Sequence, residues 1–362
     1  MDDQQLRSLI AEAHRDGKRV AVSFCSHVPQ EILIAAGLIS LRVLRMDAAE
    51  PDTGAALPSN LCPLVKVCYS LCETGPAAEA DLIIAETSCD GKKKMYELLT
   101  QQDKVCYYQV PQGEERAYSL PLIRSECEYL IHFLQERFGI EITDEKLRQA
   151  CTDCNEERQS VMDLMALQQQ SPPMAWGLEI LKALEDHRRL LTPAERAEAN
   201  RRTRNALLNR KSPVPAKARR ILLTGCPIGG VAGKLVGALE ASGGVAVCFE
   251  TCDVIKSHQR TVNVGAEDIV GAIAACYQQT ACAIMSPNML RFELLDKLIE
   301  TYQAEAVVDL ALNTCHSYTV ERDRLHRFCT KKGVPYLSVE TGYSSSDAGQ
   351  LATRIAALIE LL

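Results

Sequence analysis

Cysteine is the residue type in this sequence with the widest capacity for chemistry. The chain has 362 residues, of which 16 are cysteines. In a reducing compartment such thiols do not form a disulfide framework, and metal binding or catalysis is the usual alternative. The chemistry therefore depends on which cysteines the fold brings together.

One cysteine has a particularly informative setting, the stretch ETSCDGKKKMYELL at residues 86–99. The apolar run ADLIIAE, residues 80–86, is typical of a buried parallel strand, and Met and Leu side chains over 95–99 form one face of a helix. Cys89 is therefore predicted at the carboxyl end of a strand, where open α/β sheets bind ligands. The helix terminus and the lysines at 92–94 favour a thiolate there. A half-buried, inert cysteine beside solvated lysines is the alternative.

Apolar runs alternate with helical patterns over residues 19–140 and 217–362, and this alternation predicts βαβ units with parallel sheets. The predicted fold class is α/β, with two doubly wound parallel-sheet domains related by an internal repeat and joined by a helical segment. We assign residues 1–140 to the first α/β domain, 141–216 to a helical bridging segment and linker, and 217–362 to the second α/β domain. The predicted strands are 19–24, 41–46, 80–86, 104–110, 219–225, 244–250, 280–286, 304–312 and 334–340.

The bridging segment is recognised from its helix starts and breaks. Thr143 suits a helix start, Pro172 and Pro173 force a break before a second helix, and the Pro- and Lys-rich stretch at 209–220 is the predicted linker. The one C-x-x-C motif, CTDC at 151–154, falls inside a predicted helix and lacks a partner pair. Incidental buried thiols are therefore favoured there over a metal or redox role.

The two predicted domains align through strand, cysteine, turn and helix. The matched cysteines are Cys25 with Cys226, Cys62 with Cys282, and Cys89 with Cys315. Three cysteines in each domain are thus predicted at equivalent strand ends, facing one interdomain cleft.

Converging thiolates are soft ligands that select zinc, copper(I) or iron–sulfur clusters. Zinc sites favour paired C-x-x-C motifs, whereas the ligands of a cluster can be dispersed along the chain. The sequence has no G-x-G-x-x-G, P-loop or H-E-x-x-H motif, and GCPIGG at 225–230 only loosely resembles a phosphate-binding loop. A cluster assembled between the domains is the favoured interpretation.

Charge and hydropathy exclude several other functions. The net charge is −7 and aromatic residues make up 5% of the chain, which argues against a nucleic-acid partner. The sequence has no apolar stretch long enough for a membrane span, and its amino terminus does not resemble a signal peptide. A cytoplasmic location is predicted.

Four motifs carry a family resemblance: VPQEILIAAG, ETSCDGKKKMYELL, TGCPIGG and SVETGYSSSDAGQLATRIAALIELL. They resemble the 2-hydroxyacyl-CoA dehydratase D-component family, also called the benzoyl-CoA reductase subunit family, over nearly the whole chain. Within it, NLCPLVK, TGCPIGG and NTCHSY are most similar to the single-chain branch of double-cubane cluster proteins.

That resemblance implies a homodimer whose protomers each bind an [8Fe-9S] cluster of two bridged [4Fe-4S] cubanes. Electrons would come from a separate ATP-hydrolysing iron–sulfur activator. The positions that match a family cubane are Cys62, Cys89 and Cys315. The repeat offers Cys25, Cys226 and Cys282 for the second cubane, with Cys252 in reserve.

The function implied is an oxygen-sensitive, ATP-coupled, low-potential reductase of small molecules. One alternative is the [4Fe-4S] subunit of a 2-hydroxyacyl-CoA dehydratase or benzoyl-CoA reductase, which would need a homologous second subunit. Another is a non-catalytic electron-transfer or cluster-storage protein. The lysines at 92–94 would either offset the charge of the cluster or dock the reductase.

Overall fold

Two four-stranded sheets form the framework of the protein, whose computed structural model describes residues 2–43, 50–226 and 231–362. The first sheet contains β1 (Val20–Ser23), β2 (Ile39–Arg42), β3 (Leu82–Glu86) and β4 (Val105–Tyr108). The second contains β5 (Arg219–Gly225), β6 (Gly244–Glu250), β7 (Ala306–Leu312) and β8 (Tyr336–Thr341). Every residue of β1, β3, β6 and β7 is buried, as expected for parallel strands covered on both faces.

Both sheets are parallel and share one topology. The strand orders are β2-β1-β3-β4 and β6-β5-β7-β8, so each strand of the first sheet has an equivalent in the second. This confirms the α/β class and the two doubly wound sheets predicted from the repeat. The order in which strands are added to the sheet changes direction between β1 and β3 in the first sheet and between β5 and β7 in the second. Such a position is the switch point at which parallel sheets bind ligands.

Helices cover the sheets and connect them. In the first half they are α1 (Asp3–Arg15), α2 (Gln30–Ala35), α3 (Pro63–Glu73), α4 (Asp90–Tyr96) and α5 (Ser119–Phe138). The connecting segment contains α6 (Asp144–Met165), α7 (Gly177–His187) and α8 (Pro193–Leu208). The second half contains α9 (Ala232–Ala241), α10 (Ile255–His258), α11 (Ile269–Gln278), α12 (Met289–Thr301), α13 (His316–Lys332) and α14 (Ala348–Glu360).

Two of the connecting helices begin at a side-chain cap, and the start predicted at Thr143 is confirmed. Thr143 caps α6 by accepting a hydrogen bond from the Lys146 backbone N–H at 3.4 Å. Thr192 caps α8 in a reciprocal capping box with Glu195. No helix of the described residues is both long and apolar enough to cross a membrane.

The core of the first sheet includes side chains from the second half of the chain. Ile269, Ile273 and Tyr277 of α11 are buried in the same apolar cluster as Ala21 and Leu82 of the first sheet. The helix α11 packs on α5 and α6. The domain boundaries at 140 and 216 stay a prediction, and the chain returns to the first sheet after forming part of the second.

The strand predicted at 280–286 is wrong. The chain forms a turn there, with the Met285 N–H donating to the Cys282 carbonyl at 3.0 Å, and Ser286 N–H donates to the Gln112 carbonyl at 2.8 Å. Two alanines weaken the β propensity of this segment, and Ala281, Cys282 and Met285 are buried in a loop instead.

Two predicted features extend beyond the described residues. The strand predicted at 41–46 overlaps β2 at residues 41 and 42, and its residues 44–46 lie outside the described ranges. The glycine-rich turn GCPIGG is described only through Cys226.

Gly225, at the end of β5, cannot be replaced without strain. Its φ is +135°, and an added Cβ would lie 1.9 Å from the Leu310 carbonyl oxygen. We expect Gly225→Ala to lower the free energy of unfolding by about 3 kcal/mol or more. Gly237→Ala in α9, where an added Cβ meets no atom within 4 Å, is the control and should raise stability by up to about 1 kcal/mol. Equal urea midpoints for the two variants would contradict this expectation.

Glu240 of α9 makes stability depend on pH. Burial raises its pKa from 4.5 to about 7, although its carboxylate accepts a hydrogen bond from the Leu178 N–H at 3.2 Å. A raised carboxyl pKa contributes stability that is complete below pH 4.5 and is lost as the pH rises to about 7. Glu240→Gln should therefore match the native chain at pH 4 but gain about 1 kcal/mol over it at pH 8.

Chemical unfolding across this pH range measures the effect. Glu12→Gln, at an exposed position of α1, is the control and should keep the native pH dependence. A Glu240→Gln variant with the native slope would contradict the assignment.

Candidate functional site

Six cysteines from both halves of the chain line one cavity of about 230 Å³. Apolar side chains supply much of the remaining wall, among them Phe24, Leu61, Leu64 and Ile284. The cysteines on the wall are Cys25, Cys62, Cys89, Cys252, Cys282 and Cys315. Five of the six predicted site residues therefore share this cavity, together with the reserve candidate Cys252.

The parallel sheets explain why these thiols meet. Cys25 follows β1, and Cys89 follows β3 and is the N-cap residue of α4. Cys315 follows β7 and is the N-cap residue of α13. These positions are the carboxyl ends of strands at the two switch points, where a parallel sheet opens a crevice.

Two of the predicted positions differ from the repeat alignment. Cys62 is the N-cap residue of α3, and Cys282 lies in the turn between α11 and α12, so neither directly follows a strand. Both nevertheless reach the cavity wall. The prediction of equivalent strand ends is wrong for this pair, because the expected strand at 280–286 is a turn.

Cys226 lies behind the cavity, at the end of β5. It is 1% exposed, and its Sγ accepts a hydrogen bond from the Leu312 N–H at 3.1 Å. Cys226 and Cys62 both lie close enough to the Cys315 thiol to affect its pKa. These three thiols therefore lie near one another, between the cavity wall and the end of β5.

The remaining cysteines are buried away from the cavity wall. Cys151 and Cys154 of the C-x-x-C motif lie in α6, as predicted. The others in this group are Cys68, Cys72, Cys106, Cys127, Cys248, Cys276 and Cys329.

Several of the thiols on the cavity wall hold their protons more tightly than an ordinary cysteine does. Burial raises the pKa of Cys25 and Cys89 above the ordinary thiol value, and it raises the pKa of Cys282 to about 11. A hydrogen bond with Cys315, followed by burial, raises the pKa of Cys62. The thiolate expected at Cys89 from the neighbouring lysines is therefore disfavoured, because burial outweighs the effect of Lys92. A bound metal would deprotonate such thiols.

The three lysines at 92–94 have different environments. Lys92 lines the cavity and is 4% exposed, with its Nζ donating to the Phe24 carbonyl at 2.8 Å and forming an ion pair with Glu86. Lys93 is exposed, and Lys94 pairs with Glu97 on the surface at 2.9 Å. Burial alone would lower the pKa of Lys92, but attraction to Glu86 outweighs it and keeps the ammonium charged. The basic helix start therefore supplies one buried cation, which Glu86 already balances.

A second buried lysine lies behind Tyr318, which is part of the cavity wall. Lys256 Nζ is 3.2 Å from the carboxylate of Glu250 and donates to the Tyr318 hydroxyl at 3.0 Å. Tyr318 lines the cavity, and its hydroxyl is 3.9 Å from Cys252 Sγ. Neither this group nor the Glu86–Lys92 pair was predicted from the sequence. The sequence feature that could have indicated these two buried ion pairs is a Glu-Thr dipeptide, which occurs at the end of both β3 and β6, shortly before a cysteine.

The arrangement of the donors distinguishes between kinds of metal centre. Within the described ranges, no three Cys, His, Asp or Glu side chains are arranged to hold a single metal ion. The thiols are instead distributed around the wall of one largely apolar cavity. Thiolates suit iron–sulfur clusters, in which different irons take separate protein ligands, so the donor chemistry fits a cluster.

Comparison with known proteins gives consistent matches. Residues 25–362 match the sequence profile of the 2-hydroxyglutaryl-CoA dehydratase D-component. The chain is 37% identical to the putative dehydratase subunit YjiM of Escherichia coli (strain K12), over 94% of this chain and 90% of that protein. It is 24% identical to one of the benzoyl-CoA reductase subunits of Thauera aromatica, over 88% of this chain and 84% of that protein.

Removal of the Lys92 charge should destabilise the fold, because it would leave Glu86 buried without its partner. We expect Lys92→Met to cost about 3–5 kcal/mol in the free energy of unfolding at pH 7. Lys93→Met, at the exposed neighbouring position, is the control and should change it by less than about 0.5 kcal/mol. Adding Glu86→Gln to Lys92→Met should recover part of the loss. Equal denaturation midpoints for the two single variants would show that the pair has no such role.

Proposed function

Since the chain belongs to the 2-hydroxyglutaryl-CoA dehydratase D-component family, we propose that it is an ATP-coupled, low-potential iron–sulfur reductase of small molecules. The observation that supports this most strongly is the set of six thiols from both halves on one cavity wall. The relatives are named as dehydratase and reductase subunits, which supports an enzymatic role.

The proposed cofactor is the [8Fe-9S] double cubane. The residues proposed to hold it are Cys25, Cys62, Cys89, Cys226, Cys282 and Cys315, with Cys252 as the reserve. A single [4Fe-4S] cluster takes at most four thiolates, fewer than the six on this wall, and the surplus favours a larger cluster. When bound, the cluster supplies low-potential electrons to the substrate.

The protein's own residues would control the surroundings of that chemistry. Phe24, Leu61, Leu64 and Ile284 make the wall apolar, which limits water around the reacting groups. Lys92 on the cavity wall and Lys256 behind Tyr318 each carry a buried positive charge that pairs with a buried glutamate. Hydrogen bonds and charges around a cluster are among the means by which a protein adjusts its potential.

The partners and location form part of the same proposal. We propose a cytoplasmic homodimer that receives electrons from a separate ATP-hydrolysing iron–sulfur activator. The second candidate function is a [4Fe-4S] subunit of an acyl-CoA dehydratase or reductase. The names of the two relatives, both of which are described as subunits, favour this alternative.

Iron and acid-labile sulfide per chain, measured after purification without oxygen, separate the candidates. We expect about eight irons per chain and a reduced-state spin signal if the double cubane is present. About four irons would favour the single-cluster subunit, and none after anaerobic reconstitution would overturn the cluster proposal. Turnover of a small substrate with an ATP-driven donor would exclude a storage role.

Substitution of the cavity thiols should lower iron content without unfolding the chain. We expect Cys89→Ser and Cys315→Ser each to lose about half of the bound iron or more, since each removes a proposed ligand. Cys329→Ser is the matched control, because Cys329 is buried in α13, the helix that Cys315 caps. Full iron content in both cavity variants would show that these thiols are not ligands.

A further inference from the structure

The Tyr318 hydroxyl is a polar group of the cysteine cavity that the proposed ligand set does not use. Tyr318 lies in the first turn of α13, three residues after Cys315, and it is 5% exposed. A tyrosine hydroxyl has a single proton to donate, and it can also accept hydrogen bonds. The neighbours of this hydroxyl therefore determine where its proton points.

Lys256 is the neighbour on the side away from the cavity. Its Nζ donates a hydrogen bond to the Tyr318 hydroxyl at 3.0 Å. An ammonium group has three N–H donors and no lone pair, so it cannot accept a proton from the tyrosine. Lys256 is fully buried, with its Nζ 3.2 Å from the carboxylate of Glu250. The Tyr318 hydroxyl is thus an acceptor on this side, and its own proton must point elsewhere.

Cys252 is the neighbour on the other side. In the described chain the Tyr318 hydroxyl has one further hydrogen-bond contact, to Cys252 Sγ at 3.9 Å. Cys252 also lines the cavity, and the Ser257 hydroxyl donates to its backbone carbonyl. Hydrogen bonds become shorter and stronger when the acceptor is negatively charged, as a thiolate is. The hydroxyl proton is therefore directed at a sulfur that can be a metal ligand.

The ring of Tyr318 is held in place by two buried cations. Lys256 Nζ and the guanidinium carbon of Arg291 each lie 5.0 Å from its ring centroid. Both cations are balanced by carboxylates, Lys256 by Glu250, and Arg291 by Glu321 and Glu250. Because these charges are balanced, their main effect on Tyr318 is to fix the position of its ring. The hydroxyl is thus oriented before any group occupies the cavity.

We propose that Tyr318 is a positioning residue, whose hydroxyl, oriented by Lys256, donates a hydrogen bond to the sulfur of Cys252 and makes the bound cluster easier to reduce. The proposal rests on the proposed function and takes Cys252, the reserve candidate, as a ligand. Reduction adds negative charge to the cluster and its sulfurs, so a donor beside a ligand sulfur stabilises the reduced state more than the oxidised state.

A redox titration of the anaerobically purified chain, followed by the reduced-state spin signal, tests the proposal. We expect Tyr318→Phe to keep the native iron content and to lower the midpoint potential. At a fixed potential the ratio of reduced to oxidised cluster should fall about tenfold, which equals about 59 mV for one electron. Tyr302→Phe changes a buried tyrosine that ends α12 away from the cavity wall. This control should keep the native midpoint.

Iron content separates the failure of this inference from the failure of the proposed function. If the native chain holds no iron after anaerobic reconstitution, both are wrong. If Tyr318→Phe holds the native amount of iron and keeps the native midpoint, the cluster proposal stands and the role of Tyr318 is wrong. An equal downward shift in Tyr302→Phe would also contradict that role, because the loss of any buried hydroxyl would then have the same effect.

The native chain provides a second test, which does not depend on the folding of a variant. Electron–nuclear double resonance of the reduced protein, in water and in deuterium oxide, detects exchangeable protons close to the cluster spin. We expect a coupled proton that is replaced by deuterium, since the Tyr318 hydroxyl would lie against a ligand sulfur. The absence of such a proton from the native spectrum would overturn the proposal.

Discussion

In a parallel sheet all strands end at the same edge, and the connections that leave β1 and β3 turn to opposite faces. The crevice between those strands is therefore open, because no connection crosses it. The chain forms this arrangement twice, and residues that follow β1, β3, β6 and β7 all reach one cavity. The positions of the site cysteines depend on this topological constraint more than on any local sequence motif.

Balanced charges buried behind the cavity are the second requirement. Burying an isolated charge is costly, and in both pairs the lysine and the glutamate lie within ion-pair distance of each other. Glu86 also accepts hydrogen bonds from Tyr96 at 3.0 Å and from Ser88 at 3.2 Å. The wall that carries Cys89 is therefore fixed by a network whose polar groups largely satisfy one another.

Much of this architecture could be predicted from the sequence. Eight of the nine strands predicted from apolar runs followed by helical patterns are present, and matching the two halves placed Cys89 and Cys315 at equivalent positions. The segment 280–286 was misassigned because local hydrophobicity does not distinguish a strand from a buried loop that packs between domains. Cys252 lies on the wall of the cysteine cavity, although the alignment of the two halves gave it no matching cysteine in the first half.

The remaining features depend on side chains that are distant in sequence. The residues around Lys92 and Lys93 do not indicate that the first is buried and the second exposed. Which of the two side chains points inward depends on how α4 packs against the rest of the protein. A polar cavity lined by β2, α6, α8 and the loop after β6 likewise depends on elements that come together only in the folded chain. Such sites require knowledge of packing between elements, which a single sequence does not contain.

The return of α11 to the first sheet has a mechanical consequence. The polypeptide passes between the two halves at several points, since α6 packs on α2 and α11 packs on α5 and α6. Two domains joined by one linker can separate by a hinge motion. Domains joined by several chain crossings resist such separation. Access to the buried thiols would then come from small displacements of surface loops and not from a wide opening of the molecule. A cavity framed in this way can keep reactive groups away from bulk solvent throughout a catalytic cycle.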